Sequence, residues 1–432
     1  MEYPLEFLEE MRQIMSADEL KLLLEGLQQE PSISIRLNTP PPSLHRFLPP
    51  GEVRKDSFST PPSPVPWCPE GYYLQERPNF TFDPLLHAGA YYVQEASSMF
   101  ITHVLRTLLT PHATNLSPWG RSGRVLALDL CAAPGGKSTC ALSTLPKGSV
   151  LYSNEPIGKR AQILSENIQK WLNGGNADVE SIVTNNYARD YKKAKMLFDI
   201  IIADVPCSGE GMFRKDPKAI EEWSLQNVEK CWRLQRDIVS DIWPCLKPGG
   251  FMIYSTCTFN THENEDNVRW IMEELGANII AIPTDKDWHI TGSLLKDFNE
   301  PVYRFLPGKT RGEGLFMAVL QKDEEQGTRS KEQGTKSRER GVKRGEQLLH
   351  TLSHQYLDAL NENREAPHVN VSYEQAIAYL RREAITLPDN TPRGIVIVCY
   401  NDMRLGLAKN VGNRANNLYP KEWRIKSTHV PA

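Results

Sequence analysis

From Val125 onward the chain alternates short apolar runs with stretches long enough for amphipathic helices, and two of those runs, Ile200 to Ala203 and Phe251 to Tyr254, are apolar at every position. A strand with one wet face alternates polar and apolar residues; a run without alternation belongs inside a parallel sheet covered on both sides. The pattern predicts strands over Val125 to Leu130, Val150 to Ser153, Ile200 to Asp204 and Phe251 to Ser255. Helices are expected between them, from about Lys137, over Lys159 to Leu172 and from about Ser224 to Trp243. Pro248-Gly249-Gly250 is read as the turn into the last strand. The fold class that follows is α/β, a doubly wound Rossmann-like sheet, whose ligands bind at the carboxyl ends of the strands.

The flanks differ from this core. Leu5, Leu8, Met11, Met15, Leu20, Leu23, Leu24 and Leu27 recur at helical spacing, and Ser32 to Asn38 alternates as a half-buried strand does. Prolines at 40, 41, 42, 49, 50, 61, 62, 64 and 66 then exclude long helices, leaving irregular chain with short strands. Near the other end, Glu325 to Lys331 is almost repeated by Glu332 to Arg338, in a polar stretch that cannot bury a core and reads as a flexible linker. A helix over Ser372 to Arg382 and a strand over Gly394 to Tyr400 follow. The expected domains are therefore 1-90, an N-terminal α+β extension; 91-321, the central domain; 322-345, the linker; and 346-432, a small C-terminal domain.

At 432 residues the chain has room for two or three domains. Mean hydropathy of -0.46 and the absence of any apolar run near the roughly 20 residues of a spanning helix point away from a membrane. The acidic, amphipathic N-terminus lacks the regions of a signal peptide, so a cytoplasmic location is expected. Eight scattered cysteines without metal-ligand spacing imply reduced thiols, no disulfide framework and no metal site. A net charge of -3 gives no global basic excess, so any nucleic-acid surface must be local.

Three segments carry the chemistry. Asp129-Leu130-Cys131-Ala132-Ala133-Pro134-Gly135-Gly136-Lys137 is a glycine-bearing turn from strand to helix, where backbone can approach a ligand and helix amides are free. It has neither the dinucleotide spacing nor the phosphate-loop motif, so alone it is equally a plain turn. Glu155, after the next strand, suits both hydroxyls of a ribose, though it also suits a solvated helix start. Cys207, in Asp204-Val205-Pro206-Cys207-Ser208-Gly209, and Cys257, in Tyr254-Ser255-Thr256-Cys257-Thr258, each follow an apolar run and so stand at strand ends beside that turn. Covalent catalysis next to a bound cofactor fits this placement, against the usual fate of free cysteine as a buried structural thiol.

Cys131 to Lys137, Asp204 to Gly211 and Ser255 to Thr258 resemble the signature motifs of the Sun-type RNA cytosine-5 methyltransferases, and Pro206 to Lys215 is similar to the bacterial small-subunit rRNA methyltransferase F branch. Ser34 to Asn38, Gln94 to Ser98 and the C-terminal segment share the resemblance. It implies a methyltransferase core with an RNA-binding N-terminal extension, a PUA-like C-terminal domain, S-adenosyl-L-methionine as cofactor, and transfer of a methyl group to carbon 5 of a cytidine. It assigns Cys257 as the nucleophile on carbon 6, Cys207 to assist release, and Asp204 to proton transfer at ring nitrogen 3. Cofactor contacts fall on Cys131, Ala132, Ala133, Pro134, Gly135, Gly136, Lys137, Glu155 and Asp204. A further position, usually an aspartate near the adenine, is assigned to Asn186 by its spacing from Asp204, with Tyr187 as the alternative.

The expected partner is RNA, by this resemblance rRNA. Lys409, Arg414, Lys421, Arg424 and Lys426, interleaved with Asn410, Asn413, Asn416, Asn417, Tyr419 and Trp423, would supply cations and stacking surfaces, and Arg214 and Lys215 would hold the target nucleotide's phosphates. A tRNA cytosine-5 methyltransferase and a catalytically idle RNA-binding assembly factor are the alternatives. An adenine amino-methyltransferase does not fit, because Asp204-Val205-Pro206-Cys207 replaces the expected Asn-Pro-Pro-Tyr type of motif. The sequence does not disclose the oligomeric state; a monomer is compatible with it.

Overall fold

The computed structural model describes residues 3–38, 62–110, 123–175, 178–324 and 347–427. Most of the proline-rich stretch and, from 325, the expected linker lie outside the described residues. The chain opens with helices Leu5–Ile14 and Ala17–Gln28, the second started by a capping box between Ser16 and Glu19. Four strands, β1 (Ile33–Leu37), β2 (Ser63–Val65), β3 (Cys68–Leu74) and β4 (Tyr91–Val93), then form an antiparallel sheet in the order β2-β3-β1-β4.

The central sheet holds β5 (Leu126–Asp129), β6 (Val150–Asn154), β7 (Glu180–Thr184), β8 (Phe198–Asp204), β9 (Leu246–Thr256), β10 (Ala277–Ile279), β11 (Tyr303–Phe305), β12 (Leu315–Lys322) and β13 (Thr351–Leu352). Its order is β10-β12-β9-β8-β5-β6-β7-β13, with β11 also on β12. The five strands from β9 to β7 are parallel, while β12 and β13 pair antiparallel at the two flanks. The uninterrupted apolar runs have the expected cause. Ile200, Ile202, Phe251 and Ile253 pack into one core, whereas Ile201, Ala203, Met252 and Tyr254 pack into another on the opposite face. Each isoleucine, phenylalanine and methionine among them contributes about 1.5–3 kcal/mol by burial, and a polar residue in its place would forfeit that. The last of these strands starts earlier than expected, at Leu246, and Pro248-Gly249-Gly250 lies within it beside a register shift against β8.

The third sheet, β14 (His368–Asn370), β15 (Gly394–Tyr400), β16 (Met403–Asn410) and β17 (Ala415–Asn417), runs in sequence order with helices Gln355–Glu362 and Tyr373–Leu380 against it. Its core is continuous with that of the first sheet: Leu37, Leu74, Phe80 and Tyr91 share one cluster with Tyr379, Val396 and Leu405. The helical pair at the N-terminus joins the centre instead, through Phe7, Met11 and Leu23 against Phe213, Trp223 and Phe259. No helix among the described residues is long and apolar enough to cross a membrane.

Candidate active site

The strand order reverses between β5 and β8, so the chain leaves their carboxyl ends in opposite directions and a crevice opens there. A cavity of about 200 Å³ fills it, lined by Asp129, Cys131, Ala132, Ala133, Pro134, Gly136, Lys137 and Asp204, with Tyr92, Gln94, Glu95 and Ser98 opposite. The turn depends on Gly135, at φ +122°, where a side chain would be strained, and Gly136 starts the helix Gly136–Thr144. Burial, reinforced by the charge of Asp204, pushes the Cys131 thiol far up, which suits a contact through its backbone.

That helix is also held from the N-terminal sheet. Arg36 of β1 is buried; its Nε donates to Gln94 Oε1 at 3.0 Å and its Nη2 to Thr139 Oγ1 at 2.6 Å, with the guanidinium 4.2 Å over the Trp171 ring.

Two carboxylates keep open acceptors. Asp129 at the end of β5 is fully buried; its Oδ2 accepts from Ser138 Oγ at 2.7 Å, but Oδ1 has no hydrogen-bond partner. Burial pushes its carboxyl up to about 7. Glu155, just past β6, accepts from the Ile157 amide through Oε1 at 3.0 Å. Its Oε2 has only an ion-pair contact of 3.3 Å to the half-exposed Arg160. Buried acceptors without donors fit a ligand rich in hydroxyl and amino donors, as S-adenosylmethionine is, and the glycine turn gives such a ligand close access to backbone.

Asn186 is buried between β6 and β13. Its backbone amide donates to Asn154 Oδ1 at 3.0 Å, while its side chain exchanges hydrogen bonds with the His350 backbone, both at 3.0 Å. The side-chain amide is thus engaged with the segment leading into β13, and neighbouring Tyr187 is exposed.

The thiols lie at the other end of the crevice. Asp204 closes β8 and faces Ser255 of β9, whose Oγ donates to Asp204 Oδ1 at 2.7 Å. Lys137 Nζ stands 2.8 Å from Asp204 Oδ2. Burial opposes the Lys137 ammonium, but Asp204, then Asp129 and Cys257, outweigh it and raise the group above its ordinary value. Cys207 Sγ is 3.3 Å from Cys257 Sγ. Its hydrogen bond to Cys257, followed by burial, raises the Cys207 thiol well above the cysteine range.

The two thiol loops are laced together. The Gly211 amide donates to Cys257 O at 2.7 Å, an approach that needs glycine because a Cβ there would lie 2.4 Å from that oxygen. Ser208 Oγ meets Thr258 Oγ1 at 2.9 Å, and Glu210 accepts from the Phe259 and Asn260 amides and from Trp223 Nε1. Arg304 and Glu265 form a fully buried ion pair, and Arg304 also donates to Phe259 O at 2.7 Å.

Of the residues expected from sequence, Cys131, Ala132, Ala133, Pro134, Gly136, Lys137 and Asp204 line one cavity with the two thiols beyond Asp204; the acceptor roles of Asp129 and Glu210, which stand in the quoted motifs, and the residues Glu263 and Arg304 were not expected. For Glu263 the polar run Asn260 to Glu265, separated from Thr258 by Phe259, was the available signal. Two expectations are corrected. Arg214 does not face the cleft for phosphate: it forms a buried, bidentate pair with Glu313 and donates to Gly26 O and Gly312 O. Tyr419 offers no stacking surface, being buried against Tyr379, Tyr356 and Trp423. Lys409, Arg414, Lys421, Arg424 and Lys426 are exposed, as a phosphate-binding face requires.

Fold and site together define a Rossmann-like methyltransferase with two thiols at its cofactor crevice, flanked by two smaller α/β units. Profiles for the N-terminal domain of 16S rRNA methyltransferase RsmF (residues 3–96), 16S rRNA methyltransferase RsmB/F (117–321) and the methyltransferase RsmF PUA domain (366–425) match in that order. The chain belongs to the RsmB/F family of S-adenosylmethionine-dependent RNA methyltransferases, in its F-type arrangement. Ribosomal RNA small subunit methyltransferase F of Cronobacter sakazakii is 28% identical over 485 residues, covering 97% of this chain and 96% of the relative. That of Pectobacterium atrosepticum is 35% identical over 277 residues, 63% of this chain and 53% of the relative. Among solved structures, NSun6 from Pyrococcus horikoshii with SFG aligns at a TM-score of 0.58 and 21% identity, over 74% of this chain and 98% of that one. A methyltransferase homolog from the same organism aligns at 0.55 and 21%, over 74% and 99%. At these identities the structural likeness speaks to the fold.

Proposed function

We propose that this protein methylates carbon 5 of a cytidine in small-subunit rRNA through a covalent adduct to Cys257. The observation that carries the reading is the pair of sulfur atoms 3.3 Å apart at the ends of adjacent strands, beside the Lys137–Asp204 ion pair. When bound, S-adenosylmethionine supplies an electrophilic methyl group; Cys131 to Lys137, Glu155 and Asp204 would hold it, whereas Asn186, its backbone bonded to Asn154 and its side chain to the His350 backbone, would not. Carbon 5 of cytosine is a weak nucleophile until the Cys257 thiolate adds to carbon 6 and pushes the double-bond electrons toward carbon 5. Lys137 sets a cation near that sulfur, and the Lys137–Asp204 pair is the proton-bearing group available to ring nitrogen 3. After methyl transfer, carbon 5 loses its proton to solvent, its C–H pair restores the ring double bond, and the carbon–sulfur bond breaks with its electrons on Cys257. The Cys207 thiol steadies that departing sulfur by donating its hydrogen bond.

The relatives' names support rRNA as substrate, and the exposed C-terminal cations supply a phosphate-binding face. A target paired in a helix would have to be flipped out to reach Cys257. We also propose the domain limits 1-90, 91-321, 322-345 and 346-432, crossed at two edges by β4, which completes the first sheet, and β13, which joins the central one, and a cytoplasmic location, where rRNA is found. The test is methyl transfer to purified 16S rRNA, small subunits and tRNA. Cys257→Ala should lose at least about 1,000-fold in rate while retaining cofactor affinity; turnover near wild type refutes the nucleophile. Cys207→Ala should accumulate a protein–RNA adduct on a denaturing gel, and its absence on an RNA that wild type methylates refutes assisted release.

A further inference from the structure

Glu263 sits six residues beyond Cys257, yet its carboxylate is turned to the loop of the other thiol. Oε2 accepts from the Ser208 amide at 3.0 Å and from Gln235 Nε2 at 2.7 Å; Oε1 accepts from Asn260 Nδ2 at 2.9 Å. Gln235 Nε2 in turn donates to Pro206 O at 2.9 Å. The peptide groups immediately before and after Cys207 are therefore both tied to one carboxylate, directly on one side and through one amide on the other. All three partners are donors, which only an acceptor-only group satisfies at once. The carboxylate is buried, and no Lys or Arg among the described residues pairs with it. An uncompensated buried carboxylate is costly, and a neutral side chain would fill the space at less cost unless the three ties matter.

Cys257 is held by other groups: its carbonyl by Gly211, Thr256 Oγ1 by Asn264 Oδ1, and the Thr258 carbonyl by Asn264 Nδ2. The loops share the Gly211 and Ser208–Thr258 contacts, but the peptides on either side of Cys207 are tied to Glu263, whereas the residues on either side of Cys257 are tied to Asn264 and its carbonyl to Gly211. We propose that Glu263 is a positioning residue for Cys207, fixing the sulfur that assists release. This rests on the two-thiol reading above.

The experiment follows adduct on a denaturing gel, with 16S rRNA in whichever form, free or in the small subunit, wild type methylates. Cofactor affinity is measured alongside. Glu263→Gln replaces one acceptor by a donor facing donors. It should lower kcat about tenfold or more, leave the cofactor KM within about twofold, and trap an adduct as Cys207→Ala does. A merely structural loss would not trap adduct. If Cys207→Ala traps adduct and a folded Glu263→Gln, active or inactive, does not, the role of Glu263 is overturned. If Cys207→Ala itself traps none, the two-thiol reading falls and this inference with it. Should Glu263→Gln fail to fold, Gln235→Met decides: it keeps the carboxylate and its tie to Ser208 but frees Pro206, so adduct supports the role and none overturns it.

Discussion

The two ends of the crevice treat their buried carboxylates differently. At the ends of β5 and β6, Asp129 and Glu155 each leave one oxygen without a hydrogen bond. At the ends of β8 and β9, Glu210, Glu263 and Glu265 are saturated by amides, side-chain donors and Arg304. The first end is built to receive a donor-rich ligand. The second already holds its full set of partners, which fixes two loops so that two sulfurs meet. Preorganised groups need no rearrangement when reaction begins, whereas open acceptors gain their partners only on binding.

This contrast can be tested in descending order of effect. Arg304→Met removes one member of a buried pair in the saturated end and should cost about 3–5 kcal/mol in a denaturant titration. Affinity for cofactor per folded molecule should stay the same, and a cost below about 1 kcal/mol would mean the loop is held by something else. Glu155→Gln should do the reverse. Cofactor Kd should weaken about 10–100-fold with the melting temperature nearly unchanged, because hydrogen bonds to a charged group are worth about 1.5–3 kcal/mol. Lost stability with intact binding would erase the distinction between the two ends.

Glu10 sharpens the comparison as the exception beside the saturated end. It lies on helix Leu5–Ile14, its Oε2 is buried without a partner, and burial, with Glu210 and Glu263 nearby, pushes its carboxyl up to about 7. A carboxyl whose folded value is raised is protonated in the fold over a range where the unfolded chain has already ionised. The folded state therefore loses stability as pH rises from the ordinary carboxylate value toward about 7, and the loss is complete above it. Glu10→Gln should raise the melting temperature by about 1–3 °C at pH 8 and hardly at all near pH 4.5. An equal gain at both values would rule out ionisation as the cause.

How legible all this was from sequence follows from the range of the interactions. The strands at the centre were readable because burial on both faces leaves an unmistakable apolar run, as in Ile200 to Ala203. Strand β7 was missed because Glu180–Thr184 holds only two strongly apolar residues, and β12 because Leu315 to Leu320 suits a buried helix equally well. The thiols and the glycine turn were legible through local motifs. Arg214 was misread because its partner Glu313 lies 99 residues away, and Tyr419 because its burial is set by Tyr356 and Tyr379. A charge or ring in sequence says nothing about who meets it in space.

The grip of Arg36 on Thr139 and Gln94 bears on how such enzymes can be recombined. The helix beginning at Gly136 lies partly on a bed supplied by β1, from an N-terminal unit that a shuffling experiment would discard as an accessory. Grafting the central sheet alone onto another relative's front end would leave Thr139 and Gln94 facing a stranger. The inheritable module is the front sheet and the central sheet together, and chimeras cut between them should bind cofactor poorly even with every motif intact.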